Sequence, residues 1–138
     1  MHIHTMLKGA RKVTPEAAKL PKQQPLLVED IVAVHTQLDL TQPLDMAVFT
    51  CLTTTFFTVA CLGKFTVKNL TSFNIEAHIK IMDIQWNVED RSGNKVTTFH
   101  LPQTKIVPKE KGSETVFWAH QEGPANPKTA LLNHLEVN

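Results

Sequence analysis

The sequence predicts an α+β fold, mainly helical, on three observations. Residues 41–67, TQPLDMAVFTCLTTTFFTVACLGKFTV, hold no charge between Asp45 and Lys64 and place apolar residues at helical steps. Near Ile84 the period changes, and Ile84, Trp86 and Val88 alternate as residues of a half-buried strand do. Beyond Pro127 helical spacing returns at Ala130, Leu131, His134 and Leu135. A helical layer over residues 44–62 packed on an antiparallel meander near residues 84–120 is therefore expected.

A length of 138 residues allows one domain with a core that needs no disulfide or metal staple. Hydrophobic residues make up 42% and charged residues 20%, an ordinary globular balance. The net charge of +1 carries no general attraction for nucleic acid, but its distribution is uneven. Residues 1–24 carry Lys8, Arg11, Lys12, Lys19 and Lys22 against Glu16, and residues 25–64 carry Lys64 against Glu29, Asp30, Asp39 and Asp45. The division expected is a basic arm over residues 1–24 and a folded unit over residues 25–138. Residues 1–24 lack the apolar segment of a secretory signal, and Cys51 and Cys61 stand too far apart on one helix to bridge. An intracellular, reducing setting follows as the expectation.

Taken in order, residues 1–11 suggest a short helix interrupted at Gly9. His2 and His4 lack a third metal ligand nearby, and no metal or other cofactor is expected. Pro15, Pro21 and Pro25 mark a linker. Residues 29–38 form a second helix with Ile31, Val32, His35 and Leu38 on one face. Its start lacks a good cap, and His35 reads as a packed histidine at the core edge. In the central helix Thr41 is the expected N-cap and Gly63 the expected C′ residue. Leu44, Val48, Cys51, Leu52, Thr55, Val59 and Leu62 share one face and Phe49, Phe57 and Ala60 another, so burial nearly all round is expected. Its uncharged run, residues 46–63, reaches the lower edge of a membrane span. Five threonines within it, no Trp at its boundaries and no flanking basic cluster favour a core helix, with no membrane partner.

Residues 68–75 read as a polar turn. Strands follow around residues 84–88, 96–101 and 115–120, joined by turns at residues 90–94 and 107–113. Phe99 and Leu101 should point inward, as should Val116 with either Trp118 or Phe117. The last helix begins near Lys128, and the chain stops three residues after it, which leads us to expect a missing C-terminal portion. Apolar surface around Phe49, Phe56 or Phe57 would then be exposed, favouring self-association.

Catalytic signals from the residues alone are few. No glycine-rich phosphate loop or HExxH pattern is present, and Ser72, Ser92 and Ser113 all fall in turns. Tyrosine is absent, and Arg11 and Arg91 are the only arginines. Lys105, beside Gln103 and Thr104 in the second turn, is the one lysine positioned for chemistry.

Three blocks in order, residues 52–56 (LTTTF), residues 99–105 (FHLPQTK) and residues 130–135 (ALLNHL), carry a resemblance. Together they resemble the first half of the catalytic domain of tyrosine recombinases, the phage-integrase-like DNA breaking and rejoining enzymes. Recombinase-like proteins of fungal mobile elements are the nearest in pattern. The resemblance implies a first half of an integrase-like catalytic domain, and it spans nearly the whole chain.

In that family a Tyr attacks the scissile phosphate, two Arg clamp its free oxygens and a hairpin Lys protonates the leaving oxygen. The resemblance puts the first Arg at Cys61, the Glu three residues on at Lys64, and the Arg before Thr-Lys at Gln103. It retains the hairpin lysine as Lys105. The later His-x-x-Arg and Tyr would lie past Asn138. A thiol cannot replace a bidentate guanidinium, and losing one such clamp typically costs about 10²–10³ in rate. The resemblance therefore implies a decayed, inactive copy. Weak, sequence-independent binding of double-stranded DNA through Lys12, Lys64, Lys105 and Lys109, in the nucleus, is what it would retain. A protein-interaction module is the other class left open.

Overall fold

The computed structural model describes residues 8, 9, 12, 13, 15, 18, 21–102 and 114–138. Among the described residues from 21 on, α-helices and a three-stranded antiparallel sheet occur in the order α1 (Val28–Gln37), α2 (Pro43–Thr58), β1 (Ile84–Glu89), β2 (Lys95–Leu101), β3 (Glu114–Ala119) and α3 (Pro127–Val137). Short 3-10 turns at Leu62–Lys64, Leu70–Ser72 and Ile81–Asp83 lead from α2 to the sheet. The α+β class is as the sequence predicts. Among the described residues no helix is long and apolar enough to cross a membrane.

The weak start of α1 is repaired from inside its first turn, where the Asp30 carboxylate accepts the Leu27 N–H at 2.8 Å. Ile31 is fully buried, and His35 meets the edge of Phe49 with ring centroids 5.1 Å apart. That is the core-edge histidine expected.

Helix α2 departs from expectation at both ends and in the face it buries. Gln42 is the N-cap, because the Thr41 N–H and hydroxyl are both taken by the Asp39 carboxylate. The same bonds, the hydroxyl foremost, hold the Asp39 carboxyl below its ordinary range. At the other end the helix stops at Thr58, and Val59 turns into the left-handed region at φ 53°, while Gly63 falls in the following 3-10 turn. The early stop lets the chain double back. Phe65 then reaches Phe99 of β2, edge to face at 5.6 Å, and the Lys64 carbonyl accepts the Ile79 N–H.

Burial nearly all round, the expectation from the hydropathy pattern, is not found: the helix buries one face and leaves much of the aliphatic stripe exposed. Leu44 is 74% exposed and Val59 91%, whereas Met46, Phe49, Thr50, Thr53, Thr54 and Thr58 are buried. Thr53, Thr55 and Thr58 direct their hydroxyls to carbonyls one turn back on the same helix, leaving methyl groups to pack. Thr50 instead donates to the Ala130 carbonyl of α3 at 2.9 Å. With the hydroxyls of Thr50, Thr53 and Thr58 satisfied and that of Thr54 left unpaired, burying Phe49 outweighs burying the aliphatic side chains. Exposure accordingly falls on Leu44, Val48, Val59 and Leu62, while Phe49 is 2% exposed and Phe56 and Phe57 are half-buried.

A β-branched residue in the left-handed region is strained, and Val59 has almost no packing to lose. Val59→Gly is therefore expected to raise stability by about 1 kcal/mol. A higher urea midpoint with an unchanged slope is the check; a lower midpoint would contradict the backbone assignment.

In the sheet, β2 is central, with Phe99 opposite Ile84 on one side and Val116 on the other. The pairs Gln85–Thr98 and Val88–Val96 leave Trp86 and Asn87 together opposite Thr97, a bulge with Asn87 at φ 55°. The expected alternation holds in burial, with Ile84, Trp86 and Val88 each half-buried between exposed neighbours, but the bulge divides the three between two faces. Ile84 and Trp86 pack on the core with Phe99, but Val88 turns to the outer face beside Val96, Thr98 and Phe117. The first hairpin turn is as expected. Asp90 accepts the N–H groups of Ser92 and Asn94, each at 2.8 Å, and Gly93 supplies a φ of 79°. In β3 the inward aromatic is Trp118, 3% exposed, while Phe117 is 56% exposed. Asn126 caps α3 by accepting the N–H groups of Lys128 and Thr129. Two core clusters result. One joins Ile31, Phe49, Ala125 and Ala130, the other Phe99, Trp118 and Leu131, and Phe57 touches both.

Candidate functional site

The turn after α2 carries the two described positions to which the recombinase resemblance assigns chemistry. Cys61 is extended and exposed, and it opens the 3-10 turn that ends at Lys64. Lys64 is half-buried. Its backbone carbonyl holds Ile79, and its Nζ donates to the Ala77 carbonyl at a long 3.5 Å. The ammonium thus leans on the segment before the sheet and keeps N–H groups to spare. Phe65, half-buried against Phe99, anchors the turn to the sheet.

Lys12 is described and exposed. Gln103, Lys105 and Lys109 lie outside the described residues, as do His2 and His4. Among the described residues, then, Cys61 and Lys64 share one turn, and the Lys64 carbonyl ties that turn to Ile79, between His78 and Lys80. No group of three His, Cys, Asp or Glu able to hold a metal occurs among the described residues.

Sequence reasoning missed two cavities flanking α2. The exposed apolar face of the helix forms one wall of an open trough of about 1040 Å³, lined by Leu26, Val48, Cys51, Leu52, Phe56, Val59 and Leu62. The signal in the sequence is the apolar stripe from Leu44 to Leu62, which hydropathy alone does not distinguish from a core face. On the other side of the helix a smaller cavity of about 250 Å³ reaches toward Phe99, Leu131 and His134. Thr54 borders this cavity with its hydroxyl buried and unpaired. Burial pushes the Cys51 thiol above its ordinary range, which suppresses thiolate there. It pushes His134 the other way, favouring the neutral ring. Neither arrangement supplies a nucleophile with a base beside it.

Comparison with protein-family models, with curated proteins and with solved structures finds no match to this chain, so its functional reading rests on residues and geometry.

Proposed function

We propose that the chain is a tyrosine-recombinase-like DNA-binding fragment, of the integrase-like fold, that holds duplex DNA weakly and does not cut it. The observation that carries this reading is chemical. The recombinase-like blocks are present in order, yet the sequence contains no tyrosine, and Cys61 stands where the blocks call for a phosphate-clamping arginine. Within residues 1–138 a covalent phosphotyrosyl intermediate has no residue on which to form. The contacts left to such a fragment are lysines, with Lys12, Lys64, Lys105 and Lys109 as the proposed set. Attraction of that kind is to phosphate charge and not to base sequence.

Binding of a fluorescent duplex should be no tighter than about 10⁻⁶ M at physiological salt and should weaken steeply as salt rises. Cys61→Arg with Lys64→Glu should shift that affinity and still give no covalent adduct on a nicked trapping substrate. Adducts from either version, or affinity indifferent to salt, would overturn the reading.

A second reading, a module acting through apolar contact with another copy of itself, is favoured by the exposed stripe of Leu44, Val48, Val59 and Leu62. Sedimentation equilibrium should then show concentration-dependent dimerisation that Val48→Glu with Leu62→Glu abolishes. A monomer at all concentrations would remove this reading.

A further inference from the structure

On the face of the sheet that receives α3, a third cavity differs from both others in being lined by polar groups. It measures about 220 Å³ and is walled by Asn87, Lys95, Thr97, Trp118, His120 and Lys128. Trp118 is 3% exposed, and its indole Nε1 is shut off from solvent with no hydrogen-bond partner. An indole N–H can only donate, so whatever completes it is an acceptor. The remaining wall agrees. Its titratable groups, Lys95, Lys128 and His120, are all bases, and no carboxylate lines it among the described residues. Glu89 stands opposite Lys95 in the ladder but is exposed and makes no ion pair with it.

The backbone builds this site deliberately in one respect. The bulge at Asn87, held at φ 55°, brings that side chain to the end of α3, where its Oδ1 accepts from Lys128 Nζ at 2.7 Å. The bond fixes the ammonium beside the cavity and leaves it two further N–H donors. Asn126 already occupies the backbone N–H groups of Lys128 and Thr129, so side chains and not the helix terminus provide the donors.

We propose that this pocket binds an oxyanion of the phosphate class. Residues that carry donors line it on three sides: Trp118 in the sheet, Lys95 at the start of β2 and Lys128 in the first turn of α3. That arrangement suits a tetrahedral anion with three or more acceptor oxygens better than a planar carboxylate with two. The anion is either a free phosphate or monoester, or a phosphodiester of a nucleic-acid backbone. The proposal does not rest on the DNA reading, since failure of duplex binding leaves the free-phosphate arm standing.

The full chain, labelled with ¹⁵N, tests it directly. The sequence holds two tryptophans, so two indole resonances are expected, and Trp86→Phe assigns them. Inorganic phosphate, titrated against chloride at constant ionic strength, should move the Trp118 N–H resonance to saturation. Lys95→Gln and Lys128→Gln, both on the pocket rim, should each weaken that response about tenfold. A response to a short duplex but not to inorganic phosphate assigns the site to the backbone phosphodiester; the reverse assigns it to free phosphate. A resonance that moves with neither, or that moves equally in the double lysine variant, overturns the proposal.

Discussion

Phe49→Ala is expected to cost about 3–5 kcal/mol, a large share of the stability of a domain this size. The ring is 2% exposed, wedged between α1 and α3, with Ile31, Ala125 and Ala130 around it and the edge of His35 against it. Ala125 and Ala130 cannot refill the space, and Leu38, Leu40 and Phe56, packed against the cluster, would have to leave their own contacts to do so. Thermal unfolding should fall by on the order of 10–20 °C. A loss below about 1 kcal/mol would show that the cluster collapses freely and that α1 is not docked as described.

Phe99→Ala should cost a similar amount, about 3–5 kcal/mol, for a different reason. Phe99 is 1% exposed at the centre of the sheet, and its ring meets Trp118 at 4.7 Å and Phe65 at 5.6 Å. Its removal undoes aromatic pairs on both sides and frees the turn that carries Cys61 and Lys64. Because Phe57 touches both clusters, unfolding followed by Trp fluorescence and by far-ultraviolet dichroism should coincide in the wild type. The Phe99→Ala variant should lose the Trp118 signal at lower denaturant than the wild type. An unchanged midpoint would place the sheet outside the cooperative core.

The elements themselves were legible because period is a strong signal. The helical steps in residues 44–58, the inward Phe99 and Leu101 of β2 and the Asp90 to Asn94 turn all read correctly from residue types, although β2 is buried on both faces from Val96 to Phe99 and does not alternate. The buried side of α2 did not. Hydropathy ranks Thr below Leu and Val, but Thr53 and Thr58 return their hydroxyls to their own helix and pack as though they were apolar. The stop at Val59 was hidden for the opposite reason, since propensity never places a β-branched residue in the left-handed region. Asn87 did offer a signal, as asparagine tolerates that region, and it marks the bulge that sends Val88 to the outer face. The polar pocket was beyond reach from sequence, because Lys95, Trp118 and Lys128 converge only once strand order and register exist.

The bond from Thr50 to the Ala130 carbonyl has a consequence for how the molecule assembles. It joins positions 80 residues apart, and the whole meander lies within the loop it closes. Helices α2 and α3 pack together, yet they can meet only after the intervening chain has been drawn in. The β1–β2 hairpin and α2 form from local contacts, whereas α3 docks at the cost of long-range closure. The α3 contact is therefore expected to form late in folding and to open early in unfolding, so that amide exchange in this eleven-residue helix should be faster than in α2; equal protection of the two helices would contradict it.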